Sequence, residues 1–223
     1  MTDPENKFKP LPVSTLPEIL PVLPLNGGVL LPHARLSLNL DEDRHLNLID
    51  DVLAMPGRFI GIIQPILDTE KNETPELYEV GSAGRIVSFS ETEEGHYLVG
   101  IQGVCRFRVK EELETYNQYR RVHALWRDFY GDLAMPESGL FDRARLLKVL
   151  RRYFKISAIE TDWNVIEEAP DGLLVDSLAM LCPLKPSEKQ ALLEKVDLQE
   201  RADMLIAMLE IDSLFQEEPK RLC

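Results

Sequence analysis

Hydrophobic and polar positions change their rhythm near the middle of this chain. Before about residue 130 the apolar residues alternate or come in short runs. Leu36, Leu38 and Leu40 alternate with Arg35, Ser37 and Asn39, the period of a half-buried strand. Phe59-Ile60-Gly61-Ile62-Ile63 is a short β-rich run. Arg85 to Phe89 leads through an acidic turn at Glu91 to Gly95 into Tyr97 to Ile101, which predicts a hairpin with Gly95 at its turn. Cys105, Phe107 and Val109 alternate with Arg106, Arg108 and Lys110, and Arg120 to Trp126 supplies one more strand. Short, closely spaced strands favour a small barrel, because closure removes unpaired edges. One helix interrupts them. Asp41 is its expected N-cap, Leu46, Ile49 and Leu53 share a face with Leu48 and Val52 beside them, and Pro56-Gly57 ends it.

After about residue 137 the spacing becomes helical. Ser138 is the expected cap of a helix carrying Leu140, Leu147, Leu150 and Phe154. Asp171 or Gly172 opens another, with Leu174, Leu178 and Leu181 on one stripe and Pro183 as its stop. Ser187 to Gln190 fits a capping box. Asp197 is the expected cap of a last helix bearing Ala202, Leu205, Ile206 and Leu209. The organisation expected is a flexible Pro-rich lead (1–17), a barrel subdomain (18–130), a linker (131–137), a helical subdomain (138–213) and a tail (214–223). The fold class is α+β: a small β-barrel with one inserted helix, followed by a C-terminal helical bundle.

Composition narrows function more than fold. The 223 residues carry a net charge of −13, which opposes nonspecific DNA or RNA binding. No apolar run approaches the roughly 20 residues of a membrane helix. The acidic first residues, Asp3 and Glu5, do not suit a signal peptide, so a cytoplasmic protein with no membrane partner is expected. Three well-separated cysteines argue against a disulfide framework. Trp126 and Trp163 are expected as core anchors.

Two segments add a resemblance. One is Pro21-Val22-Leu23-Pro24-Leu25 with Leu30-Leu31-Pro32. The other is Val80-Gly81-Ser82-Ala83-Gly84-Arg85-Ile86, continued by Gly103 to Val109. With Leu178 to Pro183 and Glu188 to Glu194, they resemble, in order, the amino-terminal substrate-recognition domain of the Lon protease family, from about Glu18 to Ile211. The likeness is greatest to standalone bacterial proteins made of this domain alone. The resemblance implies a PUA-like barrel, a helical bundle, and a noncatalytic grip on unfolded or tagged polypeptide, with no cofactor. An ATP-dependent protease as partner and homo-oligomerisation remain open under it. Where many relatives have Phe-Glu-Pro-Arg-Tyr, this chain has Asp41-Glu42-Asp43-Arg44-His45.

Catalytic readings find little support. Gly95 and Gly100 have phosphate-loop spacing, but Ile101 and Gln102 follow where a lysine is needed. Gly81-Ser82-Ala83-Gly84 resembles the Lon peptidase's nucleophile context but lacks its proline and an evident base, so an ATP-independent peptidase stands as an alternative function. His33, His45, His96 and His123 lack metal-ligand spacing. Candidate polypeptide-binding residues are Val29, Leu30 and Leu31, if their turn is exposed, with Glu42 and Arg44. Lys148, Arg151, Arg152 and Lys155 share a helix face, read either as solvated and paired with acids of the barrel or as a dock for an acidic partner. RNA binding by a PUA-like barrel is the remaining alternative.

Overall fold

A computed structural model describes residues 11–66, 75–134 and 141–221. The chain divides into two compact units, Met1–Met135 and Pro136–Cys223.

The first unit is one mixed six-stranded sheet with a helix. Its strands are β1 (Ile19–Pro24), β2 (Arg35–Leu40), β3 (Phe59–Ile63), β4 (Val80–Glu91), β5 (Tyr97–Tyr116) and β6 (Tyr119–Leu125), and α1 (Asp43–Ala54) follows β2. β1 runs parallel to β3 and antiparallel to β6. β3 pairs with β4, β4 with β5, and β5 with β6. The pairings therefore return on themselves through β1, β3, β4, β5 and β6. β2 hangs outside this circuit, joined to β5 alone among the described strands.

The two strands expected on either side of Gly103 are one 20-residue strand, β5. Gly103 permits the continuity. A Cβ there would lie 2.1 Å from the Leu31 carbonyl oxygen, so only glycine lets that loop lie against the strand. The expected hairpin turn forms, with Gly95 at φ +82°. At the β5–β6 turn, Asn117 and Gln118 both take positive φ, as a two-residue hairpin requires.

The N-cap of α1 is Glu42, not Asp41, and its side chain makes no cap bond. The buried face of α1 is Leu48, Ile49 and Val52, with Leu46 and Leu53 only half-buried. The core face is thus rotated from the one the spacing suggested. A short 3-10 helix, Arg127–Leu133, closes the unit and was not anticipated. It carries Asp132, which takes bonds from the backbone N–H, Nε and Nη2 of Arg106 at 2.9, 2.9 and 2.6 Å. The Arg106 guanidinium also lies 4.8 Å over the Phe129 ring. Trp126 is buried as expected, donating to the Pro17 carbonyl at 3.0 Å.

The second unit is helical: α2 (Arg143–Ile156), α3 (Trp163–Glu168), α4 (Asp171–Leu181), α5 (Pro186–Glu194) and α6 (Leu198–Arg221). Ser138 and Leu140 lie outside the described residues. Asp142 caps α2, accepting from the Arg145 N–H at 2.9 Å. The α2 core face is Leu146, Val149, Leu150, Tyr153 and Phe154, again rotated from the expected stripe. The N-cap of α5 is Lys185, whose backbone N–H donates to the Glu188 side chain at 2.8 Å, because Pro186 starts the helix two residues earlier than the capping box expected at Ser187–Gln190. Asp197 accepts from the Glu200 N–H at 2.9 Å, as its position predicted. The last helix runs to Arg221, beyond the expected start of the tail. Arg201 of α6 meets Asp176 of α4 at 2.6 Å with both side chains buried.

Candidate functional site

An open apolar groove lies among the helices of the second unit. It encloses about 470 Å³ and is lined by Phe154 of α2, Val165 and Ile166 of α3, and Leu174, Leu178 and Leu181 of α4, with Glu160 and Ser177 among its polar residues. Leu181 is 79% exposed and Val165 66% exposed. Spacing alone placed Leu181 on a core stripe with Leu174 and Leu178, and that expectation is corrected. Leu181 is the last residue of α4, where the helix ends before Cys182-Pro183, so the side chain leaves the packed layer.

The basic face of α2 and its neighbours hold the groove's wall in place. Arg143 pairs with Asp171 at 2.5 Å and donates to the Ile166 and Glu167 carbonyls at 3.1 and 2.9 Å. Arg151 pairs with Glu167 and lies 4.7 Å over the Trp163 ring. Trp163 is therefore a half-buried stacking platform instead of the expected core anchor. Arg145 reaches Glu210 of α6 at 3.0 Å. Asp171, Glu167 and Glu210, the acids that meet Arg143, Arg151 and Arg145, belong to helices of the same unit. Lys148, Arg151, Arg152 and Lys155 are all exposed. Lys148 and Lys155 make no ion pair among the described residues.

α3 is the element that sequence reasoning missed. Its signal was present: Asp162 accepts from the Asn164 N–H at 3.0 Å, an N-cap visible as Asp-Trp-Asn. Six residues are too few for helical periodicity to register.

The sheet unit has a second, more polar cleft of about 370 Å³. Arg44, His45, Leu48, Tyr119 and Arg120 line it, with Pro24 and Pro65. Of the sequence candidates, Arg44 lies at this cleft and forms a 2.5 Å ion pair with Glu42, both side chains exposed. Burial lowers the pKa of His45, and Arg44 adds to the effect against the opposing charges of Glu42 and Asp41, which disfavours the charged ring. Arg120 is held by both Glu112 oxygens at 2.5 Å and by the Pro75 carbonyl at 2.8 Å. Burial raises the Tyr119 pKa, and its hydrogen bond to Asp51 at 3.0 Å reinforces the shift.

Val29, Leu30 and Leu31 are not a surface: all three are buried. Leu30 packs beneath Gly84 and Gly103, where an added Cβ would sit 2.8 and 3.3 Å from its methyls. The apolar turn fills the sheet's core, so the exposure on which its candidacy as a binding surface depended is not met.

Among the described residues, neither catalytic motif considered from the sequence is assembled. Ser82 is fully buried in β4, and its hydroxyl has no hydrogen-bond partner among the described residues. A nucleophile needs a base in reach and a path for substrate. Gly95 and Gly100 sit in the β4–β5 hairpin and in β5, with no helix following to present phosphate-binding amides. Among the described residues no group of His, Cys, Asp or Glu could hold a metal ion. Nor is any described helix long and apolar enough to cross a membrane.

Residues 19–210 match the family model described as the ATP-dependent protease La (LON) substrate-binding domain. Among curated proteins, the chain is 30% identical over 237 residues to Lon protease 2 of Sorangium cellulosum, covering 97% of this chain and 28% of that protein. It is 28% identical over 207 residues to the Lon protease of Roseiflexus castenholzii, covering 90% of this chain and 25% of that one. The chain thus spans roughly a quarter of the length of these relatives. Among solved structures it resembles a Lon N-terminal domain protein from Xanthomonas campestris, with a TM-score of 0.59 and 24% identity over 85% of this chain and 97% of that one. It also resembles the N-terminal domain of the Mycobacterium avium complex Lon protease, with a TM-score of 0.62 and 19% identity over 86% and 98%. These two likenesses concern the fold.

Proposed function

The chain belongs to the Lon substrate-binding domain family, and from that premise we propose that it is a noncatalytic module that captures unfolded or tagged polypeptide in the apolar groove of its helical unit. The observation that carries this reading is the pairing of that groove with Leu181 and Val165, two large apolar side chains left open to solvent at its edge. A folded protein leaves such a patch open where something binds. An extended apolar segment gains from displacing water there, and Glu160 at the lining favours segments that also carry Lys or Arg. The ion pairs and the Arg151–Trp163 stack fix α3 before a client arrives, which lowers the ordering cost of binding.

On this reading the closed circuit of five strands is the PUA-like barrel of the family and serves as scaffold. The helical unit is its bundle. The protein acts in the cytoplasm as an adaptor in protein quality control, handing clients to an ATP-dependent protease and doing no hydrolysis itself. The buried Ser82, unpartnered among the described residues, supports that division of labour.

Isothermal titration with a reduced, carboxymethylated protein that cannot fold tests the reading. Binding in the micromolar range is expected, weakened about tenfold by Leu181→Glu and by Val165→Glu, since each buries a charge in an apolar contact. Absence of binding at high micromolar concentration, or equal binding by both variants, would remove the groove from this role.

A further inference from the structure

β2 offers an edge whose own sequence is complementary to itself. Gly103 donates its N–H to the Ala34 carbonyl at 2.8 Å, and the register continues as Arg35 against Gln102, Leu36 against Ile101, and on to Leu40 against Tyr97. In an antiparallel pair, residues alternate between facing the partner strand and facing away. The Ala34 bond sets the phase: Leu36, Leu38 and Leu40 turn their backbone groups toward β5, while Arg35, Ser37 and Asn39 turn theirs outward. No other described strand takes those outward groups. An open edge of this kind is a template for a further strand.

The segment reads Arg35-Leu36-Ser37-Leu38-Asn39-Leu40-Asp41. Laid antiparallel on a second copy with Leu38 on the twofold axis, it sets Arg35 opposite Asp41 at both ends. Leu36 then meets Leu40, Ser37 meets Asn39, and Leu38 meets its own counterpart. This register also satisfies the backbone, because outward-facing residues meet outward-facing residues. A shift of one residue would oppose outward groups to groups already bonded to β5. A shift of two in one direction moves Arg35 off Asp41, and in the other draws Asp43 of α1 into the ladder. Arg35 and Asp41 are both exposed, and Leu36 and Leu38 are only half-buried, so a second strand would complete their cover.

We propose that the free edge of β2 is the contact of a homodimer, formed by antiparallel β2–β2 pairing in this register and fixed at each end by Arg35 against Asp41 of the other copy. The proposal does not depend on the polypeptide-binding reading, which concerns the helical unit.

Sedimentation equilibrium of the full chain, with and without charge reversal, tests it. The wild type is expected to shift from monomer to dimer as concentration rises. Arg35→Asp and Asp41→Arg each place like charges together at both ends and are expected to weaken association about tenfold or more. An equimolar mixture of these two variants restores Asp–Arg contacts at both ends and is expected to dimerise as the wild type does. Ser37→Pro, which removes an outward N–H and leaves the β5 ladder intact, is expected to abolish dimerisation while circular dichroism stays unchanged. Amide exchange at Ser37 and Asn39 is expected to slow as concentration rises. A wild type that stays monomeric, a dimer indifferent to all three variants, or β2 amides protected only by added unfolded polypeptide would each overturn the proposal.

Discussion

Among the described residues, each unit carries one buried arginine–aspartate pair and one buried thiol, yet the two units close their cores differently. In the sheet unit the Arg106–Asp132 pair ties the middle of β5 to the 3-10 helix that ends the unit, and Cys105 is the adjacent thiol. In the helical unit the Arg201–Asp176 pair ties α6 to α4, and Cys182 sits just past the end of α4. The strands return on themselves and bury the apolar turn at Val29 to Leu31, while Ile19, Val87, Phe89 and Leu98 stay exposed. Helices have no such closure rule. They bury stripes, and where α4 stops, Leu181 is left outside. Equal internal fastening thus coexists with two kinds of opening, an apolar groove among the helices and a more polar cleft in the sheet unit.

The largest expected effect comes from breaking the fastening in the helical unit. Arg201 also donates to the Leu192 and Lys195 carbonyls at 3.2 and 2.7 Å, so it both neutralises Asp176 and satisfies the end of α5. Arg201→Ala is expected to cost about 3–5 kcal/mol in urea unfolding, because it strips a buried carboxylate of its opposing charge. Replacing both partners, as in Arg201→Met with Asp176→Leu, is expected to cost far less, since no buried charge then remains. Arg106→Ala is expected to cost a similar amount in the sheet unit, and a much smaller loss there would break the parallel between the units.

Alkali probes both units at once. Burial pushes the Cys105 thiol up to about 12, with Asp132 adding to the shift and Arg106 opposing it. Burial likewise pushes Cys182 up to about 12, against the pull of Lys189. An unperturbed thiol titrates at 9.0. Below pH 9 both states hold the proton and the thiols leave stability independent of pH. Between 9 and 12 the unfolded chain releases protons that the folded chain keeps, so stability falls as pH rises, by up to about 1.4 kcal/mol per pH unit for each thiol. Denaturation midpoints from pH 8 to 10, below the range where the raised tyrosines Tyr97, Tyr119 and Tyr153 add their own loss, should show this slope, reduced in either Cys105→Ala or Cys182→Ala. A slope lost with one cysteine alone would show that only one unit sets alkaline stability.

Closure of the sheet predicts intolerance at its tightest approach. Gly103→Ala drives a Cβ against the Leu31 backbone, which cannot swing aside as a side chain could. A loss of about 1–3 kcal/mol is expected by thermal unfolding. Gly95→Ala in the hairpin turn meets no atom within 4 Å and strains only a positive φ, so its loss is expected to be smaller.

Much of this fold was legible because strands and caps are local. The alternation at Leu36 to Leu40, the Gly95 turn and the Asp197 cap each depend on a few neighbouring residues, and each forms where expected. Which face of a helix is buried depends on what lies across from it. Hence α1 and α2 are rotated from their expected stripes, and Leu181 is exposed despite its spacing. The groove was hidden for the same reason. Its wall is α3, too short for periodicity and held by Arg143 and Arg151, whose partners lie 16 to 28 residues away in sequence. Glu42 and Arg44 were readable as exposed and polar, but their mutual ion pair was not.

The smallest expected effect tests the sheet unit at a buried hydroxyl. The Ser82 hydroxyl is buried in β4 beside the Arg106 position of β5 and forms no hydrogen bond among the described residues. Leaving a hydroxyl desolvated without a partner is unfavourable, so its removal should help. Ser82→Ala is expected to leave stability unchanged or raise it by about 1 kcal/mol, with polypeptide binding intact and no proteolytic activity to lose. A destabilisation of similar size would mean that the hydroxyl is satisfied in solution. Loss of casein hydrolysis on Ser82→Ala would instead mean that the sheet opens far enough to admit substrate, and the contrast between the two units would fail on the side where it is drawn most firmly.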